Sequence, residues 1–350
     1  MIGKDRPAWR TTSPMAVMGT GWAVPGEAVS SDDLIDRIER RFGFARAATA
    51  RLLAAQMGIK SRHISRTFAE RAECPLPAAS NPQVTAEAVR RALDDAGVAL
   101  ADVSYLIAHT STPETQLPPN VAYVADLLGY DGPYVELRQA CTGFANGLMI
   151  ASGLLAAGVC GPVVIAGSET GSLFVDPGTL DDHPDQIVNL IQMGDGAGAI
   201  VLGPGPSPAS GLITSAWFGT IGRDISPGIL LGNGDRHFSH AFARIAQTGP
   251  TLFRACLTGL EALGLHPAEL DVLVPHQVSG RIGEQLAEHL QISPERLFVN
   301  ADRLGNTGSA AMWIALAQLR ETGLKPGTRV AALGAEASKY MYGGFVYEQG

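Results

Sequence analysis

The sequence predicts an α/β protein made of two duplicated halves, each of βαβαβαββ pattern, and three observations carry that expectation. Among its 350 residues 46% are apolar, 17% are charged and 41 are glycine, the composition of a compact chain with a deep core. Apolar runs of strand length alternate with longer helical ones, which implies βαβ units and sheets covered by helices on both faces. The sequence also repeats itself. "GVALADVSYLIAH" (97–109) has a counterpart in "GLHPAELDVLVPH" (264–276) at an offset of 167. "CTGFANGLMIASGLLAAG" (141–158) answers "NTGSAAMWIALAQLRETG" (306–323) at 165, and "VVIAGSE" (163–169) answers "VAALGAE" (330–336) again at 167.

In order, each half reads helix (82–96; 249–263), strand (103–109; 272–276), helix (118–128; 279–290) and strand (133–138; 297–301). There follow a helix (142–157; 307–322), a strand (162–167; 328–334) and a closing strand (197–203; 344–348). The halves divide at 1–205 and 206–350, the first carrying an expanded segment at 31–80. Met1 to Pro14 reads as a polar, poorly ordered lead-in. The helix over 142–157 is apolar on every side, so it belongs between the two sheets. Gly143, Gly147 and Gly153 would let neighbouring backbone approach it.

Duplication has a consequence for chemistry. Cys141 and Asn306 are equivalent, each at a strand-to-helix turn, and His109 and His276 are equivalent at strand ends. A pseudo-twofold would bring Cys141, His276 and Asn306 to a common crevice at the carboxyl ends of strands, where α/β proteins place ligands. At a helix N-terminus a cysteine meets unpaired N–H groups and the positive end of the dipole, which favour thiolate; the alternative is a buried, inert thiol. Asn306 suits a helix N-cap and can offer its amide as well. The symmetry link to the crevice favours His276 as functional, while His109 has no second nucleophile beside it and reads as structural. Cys160 and Cys256 sit in apolar helical or helix-end contexts and read as packing. Cys74, in a Pro-rich loop, carries no signal.

No CxxC pair or zinc-type spacing occurs, so neither a disulfide framework nor a metal site is expected. A net charge of -8 argues against nucleic acid. From Arg37 to Arg71 nine basic residues face only Glu39 and Glu70, either a solvated helix face or a dock for an anionic ligand or acidic partner. The first thirty residues hold no continuous apolar h-region, and the blandest stretch, Ala140 to Cys160, is broken by Asn146 and glycines. A cytoplasmic chain with no membrane span is expected. "GDGAGA" (194–199) precedes a strand instead of opening a helix, so it reads as a turn into the sheet and not as a phosphate loop.

Together "ACTGF" around Cys141, "GDGAGA", "PHQVSGRI" around His276, "LGNTGSAA" around Asn306 and "GIKSRHI" (58–64) resemble the thiolase superfamily. Within it they resemble the β-ketoacyl-[acyl carrier protein] synthase III type. The resemblance runs from about residue 14 to 348, with the motifs in the family's order. It implies a five-layered αβαβα fold, a homodimer and a Cys141, His276, Asn306 triad. An acyl group would move from a carrier thioester to Cys141; a malonyl thioester would then lose CO2 and attack the acyl-enzyme. His276 and Asn306 would donate hydrogen bonds to the enolate oxygen, and backbone N–H groups of Cys141 and the 334–339 loop would hold the acyl oxyanion.

Carrier binding falls, on the same resemblance, to Arg62, Ser279 and Arg281. It implies no permanently bound cofactor, with acyl carrier protein or acyl-CoA phosphopantetheine as substrate carrier. This chain departs from the family at Ser279, where an asparagine is usual. It has Leu52, Gln56 and Met57 where CoA-primed members carry a tryptophan and an Arg-Thr pair, and a longer closing loop holds Glu336 and Lys339.

Four rival readings have features that separate them. A non-condensing acyltransferase on the same fold would pass the acyl group to an alcohol, amine or thiol. A degradative thiolase needs a second cysteine near the C-terminus, and none follows Cys256. A papain-like hydrolase shares the Cys, His, Asn order but lacks the duplication. A non-catalytic partner subunit would lose one of the three residues.

Overall fold

A computed structural model describes residues 8–158, 161–205, 211–232 and 237–350. Cys160 and the first seven residues of the lead-in lie outside the described residues, and the 205/206 boundary falls against the segment 206–210, also outside them. The chain begins with β1 (Trp9–Thr11) and β2 (Met15–Ala23), then runs through β3 (Val29–Ser30), α1 (Ser31–Phe42), α2 (Ala47–Met57) and β4 (Ser61–Arg62). Next come α3 (Asn81–Ala96), β5 (Tyr105–His109), α4 (Asn120–Leu128), β6 (Tyr134–Leu137), α5 (Gly143–Ala156), β7 (Val163–Glu169), α6 (Pro184–Gln192) and β8 (Gly196–Pro204). The remainder is β9 (Gly211–Thr220), β10 (Ile229–Leu230), β11 (Ser239–His240), α7 (Phe242–Glu261), β12 (Val272–Pro275), α8 (Ile282–Leu290), α9 (Ala301–Leu304), α10 (Ala311–Glu321), β13 (Arg329–Glu336) and β14 (Met341–Glu348).

Strand order shows the duplication directly. The main sheet runs β12-β13-β14-β9-β2-β8-β7-β5-β6, with β1 added on β9. Outward from the seam, β2, β8, β7 and β5 correspond to β9, β14, β13 and β12. The pairs β5–β7 and β12–β13 are parallel, and those nearer the seam are antiparallel. At the seam β2 meets β9 antiparallel, Met15 against Ile213 and Val17 against Gly211.

Three apolar clusters separate the layers. α3 and α4 pack on the outer face of β2, β5, β7 and β8, and α7 and α8 pack outside β12–β14. α5 and α10 lie between the halves: α5 meets β5, β7 and β8 of its own half and β9 and β14 of the other. Phe144, Leu148, Trp313 and Leu316 join Ile165, Ile200, Ala332 and Phe345 in one core. The five-layered arrangement is therefore built around the two helices whose sequences repeat.

Several expected elements differ. Trp9–Thr11 pairs with Phe218, Trp217 and Ala216, so part of the expected lead-in is a strand. The strand expected at 297–301 shrinks to one bridge, Leu273 with Leu297. Gln277 Oε1 accepts from Asn300 N and Ala301 N, turning the chain off the sheet edge into α9. The helix expected at 249 begins at Phe242 and carries Pro250 inside it. α5 is buried along its first turns only; Gly153, Ala156 and the residues after it are exposed. A Cβ on Gly143 would stand 2.4 Å from His109 Nδ1, whereas one on Gly153 would meet nothing within 4 Å. Close approach thus explains Gly143 and not Gly153.

The 31–80 segment forms a cap over one end of the sheet. Leu34, Ile35 and Ile38 of α1 and Ala50 and Ala54 of α2 pack with Ile64, Phe68, Val175 and Leu190. Ser30 caps α1 by accepting from Asp33 N, and Ser80 with Gln83 forms a capping box on α3. The expected basic face is not free. Arg51 binds Asp36 and Glu39, buried Arg66 binds Glu73, and Arg71 pairs with Asp176. Arg41 donates to Ala69 O and Arg46 to Asp181 O. Most of the counter-charges come from outside the 37–71 window, where a reading of local charge does not reach.

Candidate active site

β6 ends at Leu137, and Arg138 to Thr142 carry the chain across to α5. This crossing is tied at both ends. Gln139 Nε2 donates to Thr142 Oγ1 at 3.0 Å, Asn146 Nδ2 donates to Gln139 Oε1, and Ser309 Oγ from the other half lies 3.2 Å from Gln139 O. Cys141, 9% exposed, is held at the mouth of α5. It lines a cavity of about 300 Å³ together with Ser111, Glu169, Gln192, Asn306 and Glu336.

The thiol differs from the helix-activated thiolate expected from its position. Burial pushes its pKa well above the ordinary range, and the charges of Glu336 and Glu169 add to that; a backbone N–H at Cys141 pulls the other way. Desolvation first, with the charges of Glu336 and Glu169 added, works against the helix end and favours the thiol over the thiolate.

Asn306 reaches the same cavity from the second half. Its N donates to Gln192 O, its O accepts from Gly194 N, and it forms a bridge with Met193. Oδ1 accepts from Gly308 N at 3.0 Å, capping the turn that leads into α10. Among the described residues Nδ2 makes no hydrogen bond. "GDGAGA" behaves as a turn into β8, with Asp195 taking N–H groups of Ser65 and Ser172.

His276 follows β12, and its N donates to Leu333 O of the neighbouring β13. It is not among the residues lining the cavity. Nδ1 is buried without a partner, and burial lowers its pKa to about 4, so the ring is neutral at physiological pH. His109, its equivalent, is fully buried; Nε2 accepts from Trp313 Nε1 at 3.1 Å and the ring lies beneath Gly143.

The three expected carrier contacts do not converge on the cavity. Arg62 is fully buried, donating to Ser31 Oγ and Ile191 O, each at 2.9 Å, and so faces no carrier in this structure. Desolvation lowers its pKa to about 10. Ser279 Oγ donates to Met57 O and accepts from Arg281 N, and exposed Arg281 donates to Ala55 O. Ser279 and Arg281 thus fasten the second half to α2 at the rim of the cap. Cys256 is buried, donates to Gly343 O and has its pKa pushed up to about 12, consistent with packing.

Sequence reasoning did not assign a role to the carboxylates. Glu169 ends β7 and Glu336 ends β13, and both line the cavity. The signal was present in the third repeat, "VVIAGSE" against "VAALGAE", which aligns the two glutamates. The distal wall, Phe174, Val175, Ile229, Leu231 and Phe238, also went unforeseen, since it comes from the segment after β7 and from residues in and beside β10 and β11.

Comparison with known proteins agrees with this architecture. Residues 135–220 match 3-Oxoacyl-[acyl-carrier-protein (ACP)] synthase III, and residues 260–348 match the C-terminal region of that family. A beta-ketoacyl-[acyl-carrier-protein] synthase III of Granulibacter bethesdensis is 31% identical over 331 residues, 90% of this chain and 93% of the relative. Among solved structures, AbyA1, a tetronic acid condensing enzyme, superposes with a TM-score of 0.81 and 26% identity, over 95% of this chain and 99% of that one. The 3-oxoacyl-(acyl carrier protein) synthase III of Pseudomonas aeruginosa PAO1 gives a TM-score of 0.77 and 25% identity, over 96% and 98%. With its thiolase-like fold, the chain belongs to the β-ketoacyl-[acyl carrier protein] synthase III family of condensing enzymes, which are acyltransferases.

Proposed function

We propose that Cys141 accepts an acyl group from a phosphopantetheine thioester and that the acyl-enzyme then undergoes decarboxylative Claisen condensation with a malonyl thioester. The observation that carries this reading is the meeting of Cys141 and the uncommitted amide of Asn306 in one cavity built from both halves. A neutral His276 can donate a hydrogen bond without bringing a charge, and with Asn306 Nδ2 it suits an enolate oxygen. The relatives carry acyl carrier protein in their names, and the exposed Arg281 at the cap rim is the basic group we assign to that partner. No permanently bound cofactor belongs to the reading, and the enzyme works in the cytoplasm.

The reading includes a homodimer. β6 is the terminal strand of the sheet, Tyr134 on it is 41% exposed, and Leu117 nearby is 85% exposed, an apolar edge suited to a second copy. Intact-mass spectrometry after incubation with acyl-CoA and acyl-carrier donors tests the first step. An acyl mass should appear on Cys141, and added malonyl carrier should discharge it as a 3-oxoacyl product. Failure of every donor to add mass would overturn the reading; discharge of the acyl group onto an alcohol, amine or thiol without a new carbon–carbon bond would turn it into the plain acyltransferase.

A further inference from the structure

The two carboxylates beside Cys141 are not in the same state of use. Glu169 Oε1 accepts from Ser111 N, Ser111 Oγ, Ser309 N and Ser309 Oγ, while Oε2 accepts from Thr112 Oγ1. Five hydrogen bonds thus tie Glu169 to two loops, against three at Glu336. Glu336 is 1% exposed, yet it lines the cavity. Oε2 accepts from Thr142 N at 3.0 Å and Thr142 Oγ1 at 2.7 Å, on the residue directly after Cys141. Among the described residues Oε1 accepts only from Ser338 Oγ, which leaves it acceptor capacity. The arrangement occupies the α5 N-terminus with a carboxylate, the place a thiolate would otherwise use.

A buried thiol that rests protonated needs somewhere for its proton to go when sulfur attacks. The other charged or titratable groups at the cavity are committed or remote from that task. Arg138 pairs with Glu136, Glu169 already accepts five hydrogen bonds, His240 stacks on Phe242 in the distal wall, and His276 does not line the cavity. His109 lies beneath Gly143 against Trp313.

We propose that Glu336 relays the Cys141 proton: it takes the proton as sulfur attacks the acyl thioester and delivers it to the departing pantetheine sulfur. The bond formed is Cys141 Sγ to the acyl carbon and the bond broken is acyl carbon to pantetheine sulfur. The proton moves from Sγ to Glu336 and on to the leaving thiolate, so Glu336 ends the step in the state in which it began. After condensation Cys141 departs as thiolate, and Glu336 returns it a proton drawn from solvent. This role rests on the reading of Cys141 as acyl acceptor.

Two rates on the full-length protein separate the roles open to Glu336: acyl-mass gain at Cys141, and alkylation of Cys141 by iodoacetamide, followed by peptide mass against pH. In Glu336→Gln the acceptor for Thr142 N–H persists but the charge and the proton site are gone. Acylation at pH 7 should fall about 100-fold, while the alkylation midpoint moves to lower pH because a negative charge beside the sulfur has been removed. Faster acylation together with that movement would reduce Glu336 to a field, and no change in either would reduce it to a helix cap; both results overturn the proposal. Should the glutamine variant not fold, Glu336→Ala serves, slow alone and restored by added formate; a folded alanine variant that formate does not restore also overturns it. Absence of acyl mass on wild-type Cys141 would remove the underlying reading and this role with it, whereas equal acylation of wild type and Glu336→Gln removes the role alone.

Discussion

Glu169 and Glu336 close equivalent strands, β7 and β13, and His109 and His276 follow the same symmetry on β5 and β12. The first member of each pair is consumed by structure. Glu169 binds Ser111, Thr112 and Ser309, and His109 is locked to Trp313 in the central core. The second member keeps more capacity among the described residues: neither ring nitrogen of His276 forms a hydrogen bond, whereas His109 leaves only Nδ1 without one, and Glu336 Oε1 takes only the Ser338 hydroxyl. Cys141 and Asn306 stand at equivalent turns of the two halves, and both line the cavity. A duplicated fold offers each chemical position twice. Here the glutamate and the histidine of the first half are the more tightly bonded copies.

Four experiments bear on that division. The largest effect belongs to Cys141→Ala, which should abolish the acyl mass and slow transfer by about 10⁴-fold or more, with Asn306, the equivalent residue, gaining none. Acyl mass persisting in this variant would mean that the nucleophile lies elsewhere. Next in size is the titration of His109. Burial lowers its pKa from 6.5 to about 3, so below pH 6.5 the unfolded chain takes a proton that the folded chain refuses. Its contribution is complete above pH 6.5 and is lost as pH falls toward 3, as much as about 5 kcal/mol in all. Urea midpoints of wild type and His109→Gln should converge over that window; parallel curves would show that the histidine is not a buried neutral group.

Smaller effects are expected at the functional pair. His276→Ala and Asn306→Ala should retain Cys141 acylation but slow malonyl decarboxylation about 10²- to 10³-fold, measured as CO2 release. Decarboxylation at the wild-type rate would place both outside the chemistry. Smallest is Ser279→Ala, which removes the hydroxyl joining Met57 O to Arg281 N. It should cost about 1 kcal/mol of stability and leave kcat unchanged. A changed kcat with normal stability would return Ser279 to the carrier site.

Much of the fold was legible because burial leaves periodic traces. The repeats near offset 167 anticipated the mirrored strand orders, and the apolar run of α5 anticipated the central layer. The exception at 297–301 is instructive. The segment aligns with β6, but the Gln277 side chain captures two of its backbone N–H groups and diverts it into α9. No local propensity reports a hydrogen bond arriving from 23 residues away. Arg62 is a related case: the run "GIKSRHI" does not report where its side chain points, and the guanidinium turns inward to Ser31 and Ile191.

By itself the sequence determined the duplication, the layer order around α5 and α10, and the turns at which Cys141 and Asn306 stand, since each follows from periodicity and spacing along the chain. Only the tertiary structure decided the electrostatic state of the site. The state of the Cys141 thiol depends first on its desolvation and then on the charges of Glu336 and Glu169, which arrive from strand ends 195 and 28 residues downstream. Coulomb interaction and desolvation act through space and not along the chain, so a helix N-terminus that favours an anion in isolation holds a protonated sulfur once the fold has closed around it.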